Sequence, residues 1–137
     1  MVISDAGGLP VSLYTASAQP HEITLVQATI DETHTVGRVR RLIGDRAYDS
    51  DTLDTALLSE GIELIAPHKR NRKKIKTQDG RKLRRYRNRW KVERLFAWLN
   101  KYKRTMIRYD YFQEHFTAFV QLACTMVLLR RLVLFMK

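Results

Sequence analysis

Apolar positions change period in blocks along this chain, and each change marks a predicted element. Val2 and Ile3 lead into Asp5-Ala6-Gly7-Gly8, a turn composition that tolerates positive φ, and Val11 to Ala16 return. Residues 1–17 therefore read as a β-hairpin. Pro20 suits the first turn of a helix, and Glu22 lies near the positive end of its dipole. Ile23, Leu25, Val26 and Ile30 then carry a three-and-four spacing through Thr33. Arg41-Leu42-Ile43-Gly44 reads as a short buried strand ending at Asp45. Ser50, Asp51 and Asp54 open a helix whose Leu53, Leu57 and Leu58 face a core and which Gly61 stops. Ile62 to Ala66 is the next strand, ended by Pro67. Two long helices are predicted to follow, from about Lys82 to Arg104 and from about Gln113 to Met136. Hairpin, helix, strand, helix, strand and helix pair make a mixed α/β domain without internal repeats.

Composition narrows the class. At 137 residues and 16.1 kDa the chain is the size of one domain, or part of one, and can bury a core. A hydrophobic content of 45% argues against whole-chain disorder. The net charge of +11 and pI near 10.2 favour a polyanionic partner, since each phosphate contact releases condensed counterions. Ribosomal proteins and inert basic domains share these bulk values. The single cysteine, Cys124, excludes a disulfide framework within one chain and reads as a buried structural thiol. Met1 to Leu13 lacks the form of a signal peptide. The uncharged run Phe116 to Leu129 contains Gln121, stops at Arg130-Arg131, and is shorter than the ~18 residues of a membrane span, so it reads as a core helix. The expected setting is the reducing cytoplasm, with no membrane partner.

Between Lys69 and Arg85 stand ten Lys or Arg residues and one acid, Asp79. Such a block repels itself, so a mobile basic segment is expected at about 69–82 until it meets anions. Lys69, Arg70, Arg72, Lys73, Lys74 and Lys76 are the candidate DNA-backbone contacts; a solvated charge run is the plainer alternative. His21, His34, His68 and His115 are scattered without metal-ligand spacing.

Two places carry candidate chemistry. Tyr86, Arg89 and Glu93 are spaced by three and four, so an α-helix would stack them on one face. Val92, Leu95, Leu99 and Tyr102 share another face that can dock on a sheet. Arg89 and Glu93 also fit an ordinary solvated ion pair. Asp45 follows a buried β-run, at the carboxyl end of a strand where open α/β sheets place ligand sites. With Asp49, Ser50 and Asp51 close behind, it fits a turn or helix-entry role as well. If Asp45 and Glu93 converge, their hard oxygens suit Mg²⁺ or Mn²⁺, and such ions can activate a water or 3′-hydroxyl for in-line displacement at a phosphodiester. Arg89 could then neutralise the scissile phosphate.

At these residues the chain resembles a known family. Gly44-Asp45-Arg46-Ala47-Tyr48-Asp49-Ser50 looks like the second-aspartate motif of DDE transposases in insertion-sequence families four and five. Tyr86, Arg89 and Glu93 match the first three members of their Tyr, Arg, Glu, Lys signature. Arg94-Leu95-Phe96-Ala97-Trp98-Leu99-Asn100-Lys101 resembles the family-five helix, and Gly8-Leu9-Pro10 with Pro20-His21-Glu22 resembles the hairpin and helix before the second aspartate. The signature lysine falls on Asn100, with Lys101 and Lys103 next to take a DNA contact. The first aspartate of the triad is expected upstream of this hairpin, and Asp5 sits in a turn.

The resemblance implies an incomplete ribonuclease-H-like α/β domain, the C-terminal part of a catalytic domain. It further implies Asp45 and Glu93 as metal ligands for Mg²⁺ or Mn²⁺, and Arg89 and Tyr86 as residues shaping the site. The implied partners are transposon-end and target DNA, an upstream-encoded transposase half, and a second copy of the chain, with this chain inactive alone. Two other readings stay open: a noncatalytic nucleic-acid-binding transposase remnant and a ribosome-like basic structural protein.

Overall fold

The computed structural model describes residues 1–17, 19–33, 37–75, 77 and 79–136. The chain divides into two compact units, one made of residues 1–35 and 91–137 and the other of residues 36–90.

In the first unit, β1 (Val2–Ser4) and β2 (Pro10–Leu13) form the expected antiparallel hairpin, with Val2 opposite Leu13 and Ile3 opposite Ser12. Asp5 closes the turn: its Oδ1 accepts from the N–H groups of Gly7 and Leu9, both at 2.8 Å. Gly8 has φ +82°, which only glycine adopts without strain. A 3-10 turn, Glu22–Leu25, leads into α1 (Val26–Asp31). Val26 and Thr29 of α1 are buried, and the Thr29 carbonyl accepts from the buried hydroxyl of Ser12. Hairpin and helix are thus joined through paired rather than orphaned polar groups.

The core of this unit lies between two helices at the chain's end. From α4 (Trp90–Leu99) come Leu95 and Leu99, and from α6 (Gln113–Phe135) come Val120, Ala123, Cys124 and Val127, one stripe at three-and-four spacing. Val2, Leu9, Leu13 and Phe116 pack against the same cluster. Cys124 is buried there, which pushes its thiol pKa up and leaves it an inert packing group. By length and composition α6 could cross a membrane; the four residues of its stripe are buried, but most of the helix is exposed rather than enclosed as the expected core helix would be. Leu122, Leu129, Leu132, Leu134 and Phe135 on its other faces are exposed.

In the second unit, β3 (Arg41–Ile43) pairs in parallel with β4 (Glu63–Ile65), Leu42 opposite Leu64. The crossover is α2 (Asp51–Ser59), capped by the Ser50 hydroxyl on the Leu53 N–H. Leu57 of α2 and Ile62, Leu64, Ile65 and Ala66 form the buried layer. The Gly44 N–H donates to Ile65 O at 3.1 Å and carries the ladder one residue further, to the threshold of Asp45.

The predicted helix over Lys82–Arg104 is not continuous. It is divided into α3 (Gly80–Leu83), a 3-10 stretch Arg84–Arg89, α4, and α5 (Lys103–Met106). No residue of the 3-10 stretch is buried, so no amphipathic face holds an α-helical register there. At the other break, the Thr105 hydroxyl donates to the carbonyls of Leu99 and Tyr102 at 2.7 and 2.8 Å, which satisfies the end of α4 and stops it. Only the second of the two predicted long helices is formed as one piece.

Candidate functional site

Asp45 stands where β3 ends, in the second unit. Its backbone is extended (φ −84°, ψ −173°), and its Oδ1 accepts from the Ala47 N–H at 2.7 Å, capping the 3-10 turn Arg46–Tyr48. Tyr48 of that turn folds back on Gly44, so closely that a Cβ at position 44 would lie 2.9 Å from its ring. The glycine is what allows the chain to turn directly after the strand.

The second carboxylate oxygen of Asp45 faces Arg89, whose Nη1 is 3.8 Å away. The Arg89 guanidinium also lies over the Tyr86 ring, 5.6 Å from its centroid, since a 3-10 helix eclipses residues three apart. Side-chain exposures of 42% and 37% for Asp45 and Arg89 leave this pair open to solvent, so its net stabilisation is below ~1 kcal/mol. An open, weakly held carboxylate beside a cation suits ligand exchange better than it suits scaffolding.

Glu93 lies in the first turn of α4 and is exposed, in the other unit. Its helix is fastened by its neighbours in sequence: Lys91 Nζ donates to Ala6 O at 2.6 Å and Arg94 Nη2 to Gly7 O at 2.9 Å, both in the hairpin turn. Arg94 also stacks on Trp98 at 4.9 Å. The structure therefore brings Asp45, Arg89 and Tyr86 together within one unit and presents Glu93 on the exposed face of a helix in the other.

As to a metal, Asp45 fits as a ligand through one oxygen, because the cap on Oδ1 orients the carboxylate and leaves Oδ2 on the open side. Among the described residues no three His, Cys, Asp or Glu side chains gather into a cage.

A second cluster of charges, around Asp49, was not singled out from sequence. Asp49 has a side chain only 4% exposed, and it accepts from His68 Nδ1 at 2.8 Å, the Lys69 N–H at 2.8 Å and Arg72 Nη1 at 2.9 Å. Burial opposes its ionisation, but those three donors outweigh burial and hold its pKa below the usual carboxylate value. Arg72 also bonds Asp51 at 2.6 Å, and Lys74 reaches the other Asp51 oxygen at 3.1 Å. His68 Nε2 accepts from the Thr77 N–H, which puts the ring proton on Nδ1 in the neutral form. The available signal was the acidic pair Asp49 and Asp51 in a chain otherwise rich in cations.

Of the candidate DNA contacts, Arg72 is thus a strut between two aspartates, and Lys74 is exposed but paired with Asp51. Lys69, Arg70 and Lys73 are exposed on the same segment, and Lys101 and Lys103 are exposed beyond α4. Lys76, like His34, lies outside the described residues.

A strand-end carboxylate, a facing arginine and an exposed cationic segment thus share one α/β unit. Comparison with known proteins is specific: residues 1–128 match the family described as the transposase DDE domain, and the chain belongs to that family. It is 31% identical over 134 residues to a Burkholderia cepacia protein named as a transposase for insertion sequence element IS402, covering 92% of this chain and 60% of that relative. It is also 31% identical over 130 residues to a Brucella ovis protein named as a transposase for insertion sequence element IS6501, covering 93% of this chain and 95% of that one. The chain therefore spans about three-fifths of the length of the Burkholderia relative. No solved structure is a significant match.

Proposed function

We propose that this chain acts in DNA transposition, binding transposon-end DNA and contributing to metal-dependent strand cleavage and transfer. The observation that carries the reading is Asp45, an open carboxylate at the end of β3 with Arg89 at 3.8 Å, in a member of the transposase DDE-domain family. Asp45 and Glu93 are the proposed ligands of Mg²⁺ or Mn²⁺. Bound metal would supply charge neutralisation at the phosphate and an activated water or 3′-hydroxyl.

The chain's own residues do the rest. The Ala47 N–H fixes the rotamer of Asp45. Arg89, braced by Tyr86, offers its guanidinium to a phosphate oxygen in place of the Asp45 carboxylate. Lys69, Arg70 and Lys73 hold the DNA backbone, on a segment that Arg72 and Lys74 fasten to Asp49 and Asp51; Lys76, Lys101 and Lys103 are further proposed DNA contacts. Two carboxylates are fewer ligands than a two-ion site uses, so the chain alone binds DNA without nicking it. Cleavage then requires further carboxylates, from an upstream-encoded half or a second copy.

The test is calorimetric titration of Mn²⁺ into the intact chain and into Asp45→Asn and Glu93→Gln, with duplex binding measured in parallel. The expected result is Mn²⁺ binding that either substitution weakens at least tenfold while duplex affinity stays. Mn²⁺ binding indifferent to both would overturn the site. No Mn²⁺ binding with duplex affinity intact would establish the alternative, a noncatalytic DNA-binding remnant. Nicking by the chain alone, abolished by Glu93→Gln, would refute the need for further carboxylates.

A further inference from the structure

Large aromatic rings in a loop are normally drawn into a core. In residues 107–112, between α5 and α6, they are turned outward: Tyr109 is 73% exposed, Tyr111 90% and Phe112 57%. The backbone beneath them is tied down. Arg108 donates to the carbonyls of Asp110 at 3.1 Å and Tyr111 at 3.2 Å, and Arg104 reaches the Asp110 carboxylate at 3.4 Å. Arg104 is itself set over the Phe119 ring of α6 at 4.4 Å. The rings are ordered relative to each other as well, Tyr111 edge-on to Phe112 (5.2 Å, 86°) and Phe112 against His115 (5.5 Å, 69°).

We propose that this loop is a binding site for unpaired bases of single-stranded DNA, with Tyr109 and Tyr111 as stacking platforms. A base offers a flat π-face to an aromatic ring only when it is out of the duplex stack, so exposed rings on a fastened loop select single strands. Charge complements the rings: Lys101 and Lys103 are exposed on the segment just before the loop and supply cations for the backbone phosphates of the same strand. Aromatic platforms interleaved with cations bind without strong sequence preference, which suits strands unpaired at a DNA end. This inference rests on DNA being the partner, as proposed above, but not on the metal site.

The experiment titrates the intact chain into a labelled twelve-nucleotide oligothymidylate and, separately, a duplex of equal length, following anisotropy. Tyr109→Ala, Tyr111→Ala and Tyr111→Trp are compared, each checked for unchanged circular dichroism. Each alanine variant is expected to weaken single-strand binding by on the order of 5- to 150-fold. Duplex affinity should stay within about twofold, and Tyr111→Trp should retain single-strand binding because it keeps a ring. Equal losses on single strand and duplex, or no loss on either, would overturn the proposal. Self-association lost in Tyr111→Ala, with single-strand affinity unchanged, would assign the loop to a second copy of the chain. Failure of both DNAs to bind the unsubstituted chain would instead refute DNA as the partner.

Discussion

Arg72 Nη1 donates to the carboxylate of Asp49 at 2.9 Å, and both side chains are nearly closed to solvent, at 10% and 4% exposure. Twenty-three residues separate them in sequence. The contact ties the most basic stretch of the chain to the turn that follows Asp45, so the segment proposed to hold DNA has a fixed root beside the proposed metal ligand.

Asp49→Ala should therefore loosen that root. The Lys69 N–H, His68 and Arg72 each lose an acceptor, at a cost of about 1–3 kcal/mol. Urea unfolding should show the fall in stability, and trypsin should cut after Lys69, Arg70 and Lys73 faster than in the unsubstituted chain. Unchanged tryptic cleavage would mean that the segment is held by other contacts.

Acid should act through the same group. The folded pKa of Asp49 is depressed below the unfolded value of about 3.9, so its contribution is present above that pH and is lost as pH falls through the folded pKa. Asp51 and Glu63 are depressed too, by the hydrogen bonds of Arg72 and Lys82 respectively. Asp54 runs the other way, raised by burial and by the charges of Asp49 and Asp51. The net expectation is stability that declines below about pH 4, with a shallower decline in Asp49→Asn. Identical acid profiles for the two proteins would remove Asp49 from the account.

Neutralising Lys69, Arg70 and Lys73 together should weaken duplex binding for every DNA sequence alike, since backbone contacts position without specifying. Three lost phosphate contacts correspond to a decrease of about 2.7 in the slope of log affinity against log salt. An unchanged slope would make the segment a solvated face.

Gly44→Ala should be poorly tolerated, because the new Cβ would meet the Tyr48 ring at 2.9 Å. Overpacking of this kind costs about 1–3 kcal/mol, and here it would also displace Asp45. Thermal unfolding gives the stability cost. Mn²⁺ titration gives the displacement, expected as affinity lost beyond that of a variant matched in stability.

Most elements were legible because their causes are local. The hairpin follows from Asp5-Ala6-Gly7-Gly8, whose side-chain and backbone bonds close within five residues. The strand–helix–strand unit follows from Ser50 as a cap, Gly61 as a stop, and two short apolar runs. The stripe Val120, Ala123, Cys124 and Val127 is written in spacing alone, and the motifs around Asp45 and Glu93 sufficed to indicate the family. Tertiary structure decided what depends on partners distant in the chain. It broke the helix before α4, where arginines without a buried face give no reason to keep an α-helical register. It also divided the cations by role, since Arg72 meets its aspartates only after β4 has returned beside β3. Periodicity records which face of an element is apolar. Which charge meets which is set by the path of the chain between them, and so Arg72 became a strut while Lys69, Arg70 and Lys73 remained on the surface.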